Sequence, residues 1–204
     1  MQTVLKGTAL LSITSKMPCK SFSTSPTRCI TGAKLAKVPG SVCHGCYALK
    51  GNYQFKNVKQ AHERRYQFMI QSPGDWEDAM VEAIGKQKYF RWHDSGDVQS
   101  VGLLLALFRV CERTPKTKHW LPSREYKFIE RALNVQECPT NLVIRASAHM
   151  IDAAPPRGFS NTSTVHKDAE PHGKACHAYT RGGECGLCRA CWNPNVANVS
   201  YPKH

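Results

Sequence analysis

Acidic residues are scarce in this 204-residue chain: 15 Asp and Glu stand against 28 Lys and Arg, a formal charge of +13. That imbalance excludes an acidic surface and suits an anionic partner, nucleic acid or a nucleotide being the usual one. No aromatic–basic motif of a nucleic-acid module accompanies the charge, so a basic solvated surface explains it equally well. Long apolar runs are missing too. Nothing approaches the ~18 residues needed to span a bilayer, which excludes a membrane-spanning helix. Internal repeats and low-complexity tracts are absent, which excludes a repeat array. The opening "MQTVLKGTALLSITSK" has no small-x-small cleavage site, and "TALLSIT" within it reads as a first buried strand, not a signal peptide. The expected setting is the cytoplasm, where thiols stay reduced. Ten cysteines in such a setting point to metal before disulfides.

Strands alternate with helices along most of the chain. "TALLSITS" reads as strand one, "KYFRWH" as strand two, "KHWLP" as strand three and "NLVIRASAH" as strand four, with a further strand at "TSTVHKD". Between them, Asn57–Gln71 carries Val58, Ala61, Phe68 and Met69 on one helical face, and "WEDAMVEAI" forms a helix stopped by Gly85. "SVGLLLALFRVCER" is a helix too apolar to lie on a surface, and "REYKFIERALNV" is another. This order predicts an α/β fold, either a partial (β/α) barrel or an open parallel sheet. The expected organisation is a core over residues 1–160, with a cysteine-rich loop at 16–53. A C-terminal cysteine segment at 161–204 packs on that core. Ligands of such folds sit at the carboxyl ends of the strands. The cysteine loop, "DSGD", "SRE" and "SAHM" each follow a strand, so all four should meet at one edge.

The cysteines fall into two sets. The C-terminal set is Cys176, Cys185, Cys188 and Cys191, in which Cys188 is shared by two overlapping Cys-x2-Cys knuckles. One zinc ion uses overlapping knuckles awkwardly, whereas a [4Fe–4S] cube takes one thiolate per iron. Iron–sulfur is therefore favoured, with zinc as the alternative metal. The N-terminal set is Cys19, Cys29, Cys43 and Cys46. His44, between the last two, reads as a neighbour of the site and not as a ligand. Cys111, in an apolar helix, and Cys138, before Pro139, read as small buried side chains.

The stretch "SKMPCKSFSTSPTRCITGAKLAKVPGSVCHGCYALKGNY", with "FRWHDSGD" and "CGLCRACWNPNVANVSYPKH", resembles an uncharacterised bacteriophage family known as gene product 88. That resemblance covers nearly the whole chain and implies a phage or prophage origin, hence the host cell's cytoplasm. "CHGCYALKG" is similar, more weakly, to the end of the radical S-adenosylmethionine motif. There three cysteines in a loop after strand one hold a [4Fe–4S] cluster with one iron open to the cofactor. The resemblance implies that Ser95, Gly96 and Asp97 take the place of the segment contacting the cofactor's amino group. The spacing departs from that pattern: Pro39 stands where the first cysteine would be, so Cys29 must reach across thirteen residues, and Cys19 is a surplus thiol.

Two readings follow. In the first, an enzyme of radical S-adenosylmethionine type holds a nucleotide, nucleic-acid base or related anionic substrate with His93, Asp94, Asp97, Arg124, Glu125 and His149. In the second, both cysteine sets are structural staples of a basic protein that binds nucleic acid or a host protein. "DSGD" is equally a turn in which Asp97 caps the next helix, and His93 and His149 each suit a structural or a catalytic role.

Overall fold

The computed structural model describes residues 10–14 and 16–203. One eight-stranded sheet organises the chain, in the order β1-β2-β3-β4-β5-β6-β8-β7. The strands are β1 (Ser12–Ile13), β2 (Lys20–Phe22), β3 (Tyr89–Trp92), β4 (Lys118–Ser123), β5 (Leu142–Ser147), β6 (Thr162–His166), β7 (Lys174–Ala175) and β8 (Asn198–Pro202). Only β1 runs antiparallel to its neighbour. The sheet is open, with β1 and β7 at its edges.

The five α-helices among the described residues are α1 (Thr31–Leu35), α2 (Lys56–Gln71), α3 (Pro73–Ile84), α4 (Val101–Arg113) and α5 (Tyr126–Val135). Side chains alternate across a strand, so Phe22, Phe90, Trp92, Leu121 and Leu142 all leave one face and meet the apolar stripes of α2 to α5. Lying between α3 and α5, α4 buries Leu104, Ala106, Leu107, Phe108, Val110 and Cys111, which explains its apolarity. Ser100, not Asp97, caps it: the Ser100 hydroxyl accepts from the Leu103 N–H at 3.1 Å.

The opposite face is different in kind. The strand register puts Ser21, Tyr89, Arg91, Trp120, Pro122, Arg145, Ser147 and Tyr201 on it. Among the described residues no α-helix covers this face; the short helical turn Ala190–Trp192 lies on it. A smaller apolar cluster of Met17, Trp120 and Trp192 lies against it, with Cys19, Tyr89, Cys185, Cys191 and Tyr201 packed around. The Trp192 indole N–H donates to the Phe90 carbonyl at 2.8 Å and pins the C-terminal segment down.

The expectation for the first strand needs correction. Within "TALLSITS" only Ser12–Ile13 is extended, as the antiparallel edge; Thr8, Ala9 and Ser15 lie outside the described residues. The first parallel strand is Lys20–Phe22, inside the expected cysteine loop. Cys19 therefore precedes that strand and Cys29 follows it, which separates two thiols assigned to one set.

Candidate functional site at the strand carboxyl ends

Chain crossings at the carboxyl ends of β2 to β5 bring the expected segments together. Pairing of β2 and β3 continues past both strands, with the His93 N–H donating to the Phe22 carbonyl at 2.8 Å and the Thr24 N–H to the Ser95 carbonyl at 3.1 Å. Gly96 makes this approach possible. Its φ is +80°, and a Cβ there would stand 2.1 Å from the Thr24 hydroxyl oxygen. The cysteine loop is then held by the neighbouring strand ends. The Val42 N–H donates to the His149 carbonyl at 2.9 Å, and the Glu125 carboxylate accepts from the Ile30 N–H (3.2 Å), the Thr31 N–H (2.7 Å) and the Thr31 hydroxyl (2.7 Å).

Three thiols gather in this loop. Burial pushes the Cys29 thiol up, and the charges of Asp97, Cys46, Cys43 and Glu125 push it further. Cys43 is also raised by burial, with the Arg124 guanidinium pulling the other way. The Cys29 and Cys43 sulfurs both lie within 3.7 Å of the point where a Cβ on Gly32 would stand, so the loop wraps close around them. Cys19 is not in this group. Its thiol, pushed to about 12 by burial, faces Arg91, Cys185 and Arg189.

The acidic residues are held by the fold. Asp97 is buried and accepts from the Val98 N–H (2.8 Å) and the Arg124 N–H (2.9 Å), while burial lifts its carboxyl to about 6. Asp94 accepts from the Ser21 hydroxyl at 2.7 Å, the Tyr53 hydroxyl at 3.0 Å and the Ser23 hydroxyl, and its carbonyl accepts from the Tyr47 hydroxyl. The Arg124 Nε–H donates to the Ala148 carbonyl at 3.3 Å. His149 stacks on Tyr126 at 4.5 Å, with its Nε2 3.3 Å from the Arg124 carbonyl. The hydroxyl of Ser95 is buried and has no hydrogen-bond partner.

His93 is turned away from this group. With φ +53° it packs edge-on to Phe22 and lines a small apolar cavity with Met69, Trp76 and Trp92. Burial, then Arg91, lowers it to about 4, so the ring is neutral at pH 7. Its place is the core beneath the helices.

Among the described residues, no three His, Cys, Asp or Glu side chains form a group that could hold a metal ion. The family described as Gene product 88 matches residues 2–194. The chain belongs to the gene product 88 family of bacteriophage proteins. No curated protein and no solved structure matches it. Among the described residues of this family member, no helix is long and apolar enough to cross a membrane.

Sequence reasoning missed the two arginines on the sheet face opposite the α-helices. Arg91 stacks over Trp120 at 4.7 Å, donates to the Met17 sulfur at 3.3 Å and keeps its Nε buried and unpartnered. Arg145 is fully buried and donates to carbonyls of the C-terminal segment, among them Ala190 (2.8 Å), Val196 (2.9 Å), Asn193 (3.0 Å) and Cys191 (3.1 Å). A signal existed: each is a lone charge inside an apolar strand, "YFRW" and "LVIRAS". A lone charge there must find partners.

Proposed function

We propose that this gene product 88 protein is an iron–sulfur enzyme of radical S-adenosylmethionine type acting on an anionic substrate, a nucleotide or nucleic-acid base. The observation that carries the reading is the grouping of Cys29, Cys43 and Cys46 without Cys19. Three thiolates on a four-iron cluster leave one iron open, whereas four would close it. Sulfurs around one zinc must converge to less than ~4 Å of each other, given Zn–S bonds of ~2.3 Å, whereas a four-iron cube spreads its thiolates one to each iron.

Such a cluster, when bound, supplies the electron for reductive cleavage of S-adenosylmethionine. The chain's own residues do the positioning. Glu125 fixes the start of α1, and with it the loop between Cys29 and Cys43. Arg124 places a cation beside Cys43 and favours its thiolate. The unpartnered Ser95 hydroxyl offers a hydrogen-bonding group at the segment assigned to the cofactor. Asp97, near 6 and beside Cys29, can hold or release a proton there at neutral pH. The surplus of basic residues suits a phosphate-bearing substrate.

The second reading, a metal-stapled binder of nucleic acid or a host protein, is favoured by one observation. Asp97 and Glu125 already spend acceptor capacity on backbone N–H groups, as structural carboxylates do. Anaerobic reconstitution with iron and sulfide separates the two. The enzyme reading expects a reduced-cluster electron paramagnetic resonance signal that shifts on addition of S-adenosylmethionine and disappears in Cys43→Ser. An unshifted signal, or zinc in place of iron, overturns it and leaves the staple.

A further inference from the structure

We infer that Cys19 belongs to a second, separate iron–sulfur site with the C-terminal thiols, on the sheet face opposite the α-helices. Five cysteines meet there. Cys19 stands one residue before β2 and packs with Cys185 and Cys191 around Met17, Trp120 and Trp192. The Cys185 N–H donates to the Lys16 carbonyl at 3.0 Å, which ties the C-terminal loop to the residues leading into Cys19. The Cys188 N–H donates to the Cys185 carbonyl at 3.1 Å. Adjacent residues of β8 hold the other two thiols: the Cys176 N–H donates to the Ser200 carbonyl at 2.8 Å, and the Cys191 sulfur lies 3.2 Å from the Tyr201 hydroxyl. Cys19 comes from near the start of the chain and the other four from near its end, and the C-terminal loop folding back across the sheet brings them together.

Their surroundings suit an anionic cluster. Arg91 and Arg189 face Cys19, Lys16 and Arg189 face Cys185, and Arg145 and Arg91 face Cys191. A cluster held by four thiolates carries net negative charge, and cations around it offset the cost of burying that charge. Tyr201 and the Arg145 N–H groups hold Cys191 and its carbonyl, the kind of outer support that orients ligands. The donors are all thiols, the set a polynuclear cluster takes at one thiolate per iron. Five thiols exceed the four a cube takes: Cys19, Cys185 and Cys191, packed on one apolar cluster, are assigned as ligands, and the spare is Cys176 or Cys188.

The test is iron and acid-labile sulfide content after anaerobic reconstitution of the full chain. Cys19→Ser is expected to lose about half of the bound iron, the same half as Cys185→Ser, with the double variant losing no more than either. Cys19→Ser combined with Cys29→Ser is expected to lose nearly all of it. Unchanged iron in Cys19→Ser overturns the inference. So does a Cys19→Ser, Cys29→Ser pair that loses no more than Cys29→Ser alone. Should Cys19→Ser fail to fold, alkylation of the reconstituted Cys29→Ser variant decides. Cys19 and Cys185 should be protected together and freed together by chelation, and a Cys19 alkylated equally fast with and without metal overturns the assignment. One zinc per chain, with no iron, overturns the class of occupant. Iron retained in full by Cys29→Ser would defeat the proposed enzyme and leave this second site standing.

Discussion

Replacing Arg145 with methionine keeps most of the side-chain volume and removes the guanidinium that ties the C-terminal segment to the sheet. Six carbonyls lose a donor: Cys191, Thr162, Val196, Ala197, Ala190 and Asn193. The contacts to Thr162 and Ala197, at 3.2 and 3.4 Å, are long and add little. The other four are charge-assisted and fall between 2.8 and 3.1 Å, each worth ~1.5–3 kcal/mol gross. Methionine also removes the cost of burying the cation, itself several kcal/mol, so the net loss is far below the gross sum. Leaving buried carbonyls without a donor costs ~1–3 kcal/mol each, and after the offset ~4 kcal/mol is the value expected here. With a urea slope of ~2 kcal/mol/M, the unfolding midpoint of the metal-free chain should fall by ~2 M. Limited proteolysis should cut first within residues 186–197. Arg145→Lys restores charge without the planar fork and should recover less than half of the loss. A methionine variant within ~1 kcal/mol of the parent, with unchanged proteolysis, would refute this account of the segment's attachment.

Gly96→Ala should cost ~2–4 kcal/mol, because it combines a positive φ with a clash against Thr24, while Gly45→Ala, with open space around it, stays within ~0.5 kcal/mol; thermal melting compares the two. Glu125→Ala should release the amides of Ile30 and Thr31 to fast hydrogen exchange and cost ~2–3 kcal/mol, with Glu125→Gln intermediate; protected amides in the alanine variant would count against the clamp. His93 and His119 are both lowered to about 4 by burial, so the unfolded chain binds more protons than the folded one between about 4 and 6.5. Stability should therefore be lost as pH is lowered through that window, by up to ~3 kcal/mol per ring. Asp97, raised to about 6, acts with the opposite sign and offsets part of this. Urea midpoints at pH 7, 5.5 and 4.5 give the slope, His119→Phe should flatten it, and a flat profile in the parent would be a failure of the prediction.

What could be read from the residues divides along physical lines. The helices α2 to α5 and strands β3 to β6 announce themselves through apolar periodicity, and their alternation implies the parallel sheet and its loaded edge. The short strand β2 does not, because three residues between Cys19 and Ser23 are too few to show a period. The strand β8, "NVSYP", ends in proline and pairs with residues more than thirty positions earlier, a long-range choice that no local pattern reports. The misallotment of Cys19 follows from the first of these. Once a strand lies between Cys19 and Cys29, ten positions of sequence become opposite ends of an element. Asp97 looked like a helix cap because an acid often is one, yet Ser100 stands closer to the helix start and takes that role. His93 follows Trp92 directly, but a left-handed backbone at that residue turns its ring into the core, against simple alternation.

The position of β8 between β6 and β7 has a consequence in time. A ribosome makes β7 before the only neighbour it has in the sheet, so β7 cannot dock until β8 has emerged and slid in beside β6. Closure of this edge is a late, non-local event, of the kind that loop entropy makes slow. Cys176 to Cys191 are synthesised in that interval, between the two strands. During translation they have no partner strand, and afterwards Cys185 and Cys191 pack beside Trp120, Trp192 and Tyr201. Metal offered to the nascent chain meets thiols not yet gathered; metal offered to the finished protein meets them assembled and still half-exposed.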